Sequence, residues 1–121
     1  MRGLHHVQVT CPAGGEEAVR EFYGGLLGLA EVDKPPELEQ RGGVWFRGEG
    51  YELHVGVEEP FRPARKAHPA FLVDDLDDLA ARLARRGYTV TWDTSFPGYR
   101  RFHAADPHGN RVEILGAIVA G

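Results

Sequence analysis

The chain is 121 residues long, 42% hydrophobic and 26% charged, which fits one globular domain large enough to bury an apolar core. A net charge of −4 with no basic cluster argues against a nucleic-acid partner. No apolar run could span a bilayer, no signal-peptide core follows Met1, and the single Cys11 has no partner for an internal disulfide, so the expectation is a cytoplasmic protein that engages neither membrane nor nucleic acid.

Sixteen glycines and eight prolines predict many turns and a strand-rich fold. Leu4 to Thr10 alternates as a strand, with Val7 and Val9 on one face beside His5, and His6, Gln8 and Thr10 on the other. After the Cys11–Gly15 breaker, Ala18, Val19, Phe22, Tyr23, Leu26 and Leu27 recur at helical spacing, so a helix is predicted over Glu16–Leu27 with Gly28 as its stop. Leu29–Asp33 is a short strand. Gly43–Arg47 and Tyr51–Val57 form a hairpin around Gly48-Glu49-Gly50, with Glu52 and His54 sharing its polar face. The proline-punctuated segment 58–65 connects two halves. Lys66–Val73 is the next strand, with His68 and Ala70 on one face. A helix follows over Leu76–Arg86, capped by Asp74 or Asp75. Tyr88–Trp92 and Tyr99–Ala105 are strands. The turn Asp106-Pro107-His108-Gly109-Asn110 leads into a last strand in which Arg111 and Glu113 alternate with Val112 and Ile114. Trp45, Trp92 and Cys11 read as core, and His108 as solvent-exposed.

The order is βαβββ followed by βαβββ. This is an α+β domain made of two modules in tandem, about 1–60 and about 61–121, whose strands form a curved mixed sheet around a cleft. His6 and His68 open the halves and Glu52 and Glu113 close them, 46 and 45 positions later. If the halves are related by a pseudo-two-fold axis, these four side chains fall at equivalent places and converge as metal ligands. The plainer alternative is a solvated outer sheet face. Arg101, Arg111 or His103 could pair with an acidic substrate group.

Four segments carry a family resemblance: Leu4-His5-His6-Val7-Gln8-Val9, Phe22-Tyr23-Gly24-Gly25-Leu26-Leu27-Gly28-Leu29, Ala67-His68-Pro69-Ala70-Phe71-Leu72-Val73-Asp74-Asp75 and Asp106-Pro107-His108-Gly109-Asn110-Arg111-Val112-Glu113. In that order they resemble the vicinal oxygen chelate superfamily, which includes glyoxalase I, fosfomycin-resistance thiol transferases, extradiol dioxygenases and bleomycin-binding proteins. The resemblance implies His6, His68 and Glu113 as ligands of a divalent metal (Fe, Mn, Ni or Zn), Glu52 as a fourth, and Gln8 and His103 as cavity-lining residues. His5 is the competing histidine in the first strand.

On this reading Glu52 and His103 are the catalytic candidates, and Gln8, His54 and Arg101 are the substrate-binding candidates. A metal carboxylate such as Glu52 could leave its ion and act as general base. The expected activity is metal-assisted isomerase or lyase chemistry on a small, oxygen-rich, anionic substrate. Dioxygenase or thiol-transferase chemistry at the same site is the alternative, as is sequestration of an antibiotic. Exposed sheet edges, and the family's habit of pairing modules, imply a homodimer.

Overall fold

In the computed structural model residues 1–118 are described. The chain forms two compact units, one from Met1 to Ala64 and the other beginning at Arg65. Each is a four-stranded mixed sheet with a helix, the tandem βαβββ arrangement expected from the sequence.

In the first unit, β1 (His6–Cys11) runs parallel to β4 (Tyr51–Val57). Next come β3 (Val44–Gly48) and then β2 (Ala30–Val32), both antiparallel to their neighbours. Helix α1 (Glu16–Val19) has Glu16 and Glu17 in its first turn, where carboxylates offset the positive end of the helix dipole. It continues into a π-wound segment, Arg20–Leu26. There the Leu27 amide donates to the Phe22 carbonyl, five residues back, at 2.9 Å. The wider winding buries consecutive Phe22 and Tyr23 together with Leu26, where an ordinary α-helix was expected. On the sheet, Val9, Val44, Phe46, Leu53 and Val55 are buried, and the alternation leaves His6, Gln8, Glu52, His54, Trp45 and Arg47 on the opposite face. A short helix, α2 (Pro36–Glu39), was not anticipated. It starts on a proline, whose missing N–H costs nothing at that position.

In the second unit, β5 (Ala70–Leu72) runs parallel to β8 (Arg111–Ala117), followed by β7 (Tyr99–Ala105) and β6 (Thr91–Asp93). Helix α3 (Leu76–Arg85) is capped by Asp75, whose carboxylate accepts from the Asp78 amide at 3.0 Å. Its stripe Leu76, Leu79, Ala80 and Leu83 is buried, as are Phe71, Phe102, Val112 and Ile114 on the sheet.

Three of the boundaries that differ from expectation bear on the polar faces. β1 begins at His6, so His5 precedes the strand and is exposed instead of packing with Val7 and Val9. β5 begins at Ala70, so His68 lies on the approach to the strand and not within it. Pro69 has no N–H for the ladder, although its carbonyl still accepts from the Glu113 amide at 3.0 Å. β6 occupies Thr91–Asp93, because the Tyr88 amide is used in closing α3, bonding the Leu83 carbonyl at 3.0 Å. On this short edge strand Trp92 is 44% exposed and lies beneath the Arg100 guanidinium, so it is not core.

Gly43 enters β3 at φ +88°, and a Cβ there would run into the Val55 carbonyl oxygen. Gly50, in the following hairpin turn, has φ +79° and open space around it. Urea titration should therefore show Gly43→Ala losing more than about 2 kcal/mol, and Gly50→Ala only about 1 kcal/mol, the cost of left-handed backbone alone.

Candidate metal centre

The second unit gathers a polar cluster around one buried carboxylate. β8 lies between β5 and β7 in its sheet, so Glu113 has donors on both sides. His103 on β7 stands directly opposite it in the ladder, and His68 comes from the segment ahead of β5. His68 Nε2 lies 2.9 Å from Glu113 Oε1, and His103 Nε2 lies 3.4 Å from the same oxygen. Arg101 Nη1 donates to Oε2 at 3.2 Å. One ligand atom from each of His68, His103 and Glu113 falls within 4.8 Å of the others, the one such trio of His, Cys, Asp and Glu among the described residues.

The His68 Nδ1 atom is 2.8 Å from the Lys66 carbonyl. A carbonyl only accepts, so Nδ1 carries the hydrogen, and in the neutral imidazole Nε2 presents its lone pair. That lone pair faces a carboxylate oxygen, an arrangement that calls for a proton or a cation between them. A backbone carbonyl that orients a ligating histidine is a usual outer partner of a metal site.

The electrostatics agree. Burial pushes the Glu113 carboxyl up, but the neighbouring His68 imidazole and the Arg101 guanidinium outweigh it and hold the group below the usual range. Burial, and then the charge of Arg111, lower His103, which favours the neutral form, the one that binds metal. Arg101 also reaches a second carboxylate: Nη2 donates to Asp93 Oδ2 at 2.9 Å and the guanidinium lies over the Phe96 ring, while its buried Nε has no hydrogen-bond partner among the described residues. It was expected to meet a substrate group. In this structure it holds two carboxylates.

The first unit has a different arrangement on the equivalent face. Glu52 Oε2 accepts from Arg47 Nη2 at 3.0 Å, and His54 Nε2 lies 2.9 Å from Oε1. The two hydrogen bonds, that from His54 first, lower the Glu52 carboxyl. The buried His54 ring is sandwiched between Trp45 (centroids 3.8 Å apart) and His6 (4.1 Å), both nearly parallel to it. Gln8 lies opposite His54 in the ladder and is exposed.

The expected equivalence of the halves fails in register. His6 pairs with Glu52 across β1–β4, but the partner of Glu113 across β5–β8 is Ala70, two residues beyond His68. Counted from the two histidines, the residue in the register of Glu113 is His54, not Glu52. The nearly equal sequence spacings conceal a shift of one pleat repeat. Asp93 and the Lys66 carbonyl were missed. Placing β6 at Thr91–Asp93 would have exposed the first, since Asp93 stands opposite Arg101.

This chain belongs to the Glyoxalase/Bleomycin resistance protein/Dioxygenase superfamily, whose family model matches residues 3–114. A Bacillus anthracis protein provisionally placed in the glyoxalase family has a similar structure, with TM-score 0.93 and 44% identity over 98% of this chain and 97% of that one. Lactoylglutathione lyase from Agrobacterium tumefaciens shares the fold at TM-score 0.73 and 20% identity, covering 96% of this chain and 94% of that one. TnmS3, an antibiotic binding protein from Streptomyces sp. CB03234, shares it at TM-score 0.73 and 23% identity, covering 98% and 99%. No curated protein matches the chain.

The Asp93 carboxyl is held down at about 2 by the Ser95 hydroxyl and amide, with the Arg101 charge adding to them. A carboxyl lowered in the folded state stabilises fully above its unfolded value, near 3.8, and its contribution fades as pH falls towards about 2. Urea midpoints measured through this window should fall less steeply with acid in Asp93→Asn than in the parent.

Proposed function

We propose that the protein is a metal-dependent enzyme that acts on a small, oxygen-rich molecule by proton-transfer isomerase or lyase chemistry. What supports this is the convergence of two imidazole Nε2 atoms on one oxygen of a buried carboxylate, with the Lys66 carbonyl fixing the tautomer of His68. His68 and Glu113 are the proposed ligands in the second unit, with His103 in reach of the same ion. His6 and Glu52 are the proposed ligands in the first. Imidazole and carboxylate donors suit Fe, Mn, Ni or Zn, and such an ion, when bound, polarises substrate oxygens.

The chain's own side chains supply the rest. Arg101 holds Oε2 of Glu113, which leaves Oε1 turned towards the two imidazoles. Glu52 is the proposed proton acceptor. While Arg47 and His54 hold it, it is a weak base, so it gains that capacity only as those hydrogen bonds are released. Arg47, at 61% side-chain exposure, is the freer of the two partners. Among the described residues no helix is long and apolar enough to cross a membrane, and the one cysteine, Cys11, is buried. Both fit the proposed cytoplasmic setting. The edge strands of each sheet favour a homodimer, with the exposed Leu72 lying on one such edge.

Elemental analysis of the purified protein should find about one divalent transition ion per chain. His68→Ala and Glu113→Ala should each lose it, and His5→Ala should keep it. Full occupancy in the first two variants would sink the assignment. A protein purified without metal, and unable to take it up, would favour sequestration over catalysis. The cobalt-substituted protein tests Glu52. A ligand-field spectrum changed by Glu52→Gln supports the proton-transfer reading. An unchanged one removes Glu52 from the metal and favours dioxygenase or thiol-transferase chemistry.

A further inference from the structure

Beside His103, on the same face of the second sheet as Glu113, lies a cavity of about 330 Å³. It is lined by Arg65 from the segment before β5, Arg111 at the start of β8, Thr89, Thr91 on β6, and the backbone at Gly109. The volume is at the small end of the range for ligand sites.

Its charge is one-sided. Among the described residues neither Arg65 nor Arg111 makes an ion pair, and Arg111 is half-buried. Three acids of this unit's sheet and its turn are bonded to other groups. Asp106, across the turn from Arg111, accepts from the His108 amide at 2.9 Å, the Asn110 amide at 3.0 Å and the Asn110 side chain at 3.0 Å. Glu113 is taken by His68 and Arg101. Asp93 is taken by Ser95 and Arg101. What remains is two guanidiniums and two threonine hydroxyls around a small hollow, in a chain whose net charge is −4. Charge-assisted guanidinium hydrogen bonds, with hydroxyls completing the shell, are how proteins hold phosphate and carboxylate groups.

We infer that this cavity seats an anionic group, phosphate or carboxylate, of the molecule on which the site acts, with Arg65 and Arg111 as the binding residues. The inference rests on the proposed function only for the word substrate. It replaces Arg101, which its two carboxylates hold, with two arginines that are free to bind.

The test is a titration of the ¹⁵N-labelled full chain with methyl phosphate and, separately, with malonate, at constant ionic strength set with chloride. Saturable amide shifts at Thr89, Thr91 and Gly109 are expected with at least one probe, and the tighter probe names the class. Arg65→Gln and Arg111→Gln should each weaken binding several-fold, and the double variant should abolish it. Arg100→Gln, whose parent side chain is paired with Asp77 outside the cavity, should bind as the parent does. The absence of saturable shifts with both probes, or equal affinity in the double variant, would overturn the inference. The titration is repeated after chelation of metal. Shifts that persist place the anion on the arginines, and shifts that vanish place it on the ion and overturn the inference. A protein found to hold no metal leaves this titration fully readable, so the two proposals fail separately.

Discussion

The polar face of the second unit is organised by one constraint: a carboxylate, Glu113, with only 5% of its side chain exposed, cannot stay ionised without partners. Because β8 is an inner strand, every partner must come from its two neighbours. The antiparallel β7 supplies His103 directly opposite and Arg101 two residues along, and the chain entering β5 supplies His68. Arg101 would itself be a half-buried cation, and Asp93 with Ser95 offsets it. The network therefore extends from β8 to the β6 edge, and each member is held by the next. That rigidity is what a site needs to hold two imidazoles at one oxygen before any ion or substrate arrives.

The first unit meets the same problem with the same topology and reaches another solution. Glu52 faces a β3 residue, Arg47, and a residue two along its own strand, His54. His54 is then buried by rings rather than by charge, between Trp45 and His6. The two units are thus chemically unequal. One pairs a carboxylate with two imidazoles and a guanidinium. The other presents a carboxylate beside an aromatic stack. A fold built of two similar halves can differ in this way, because side chains on one sheet face change without disturbing the core on the other.

The sequence by itself determined the element order, the tandem repeat and which residues share each polar face, since these follow from apolar periodicity and from glycine and proline positions that bind the chain locally. It also made Arg101, His103 and Glu113 candidates, because strand alternation puts them on one side of a hairpin, and His68 a candidate by its place at the start of the second repeat. Only the tertiary structure decided the pairing between strands. Two nearly equal spacings suggested that Glu52 and Glu113 are counterparts, but register depends on where each strand begins to pair. Pro69, which cannot donate to a ladder, sets that point in the second half. Which arginine is free was likewise decided in three dimensions. Arg101 and Arg111 look alike along the chain, and only the positions of Asp93, Asp106 and Glu113 show that one is clamped while the other opens onto a cavity.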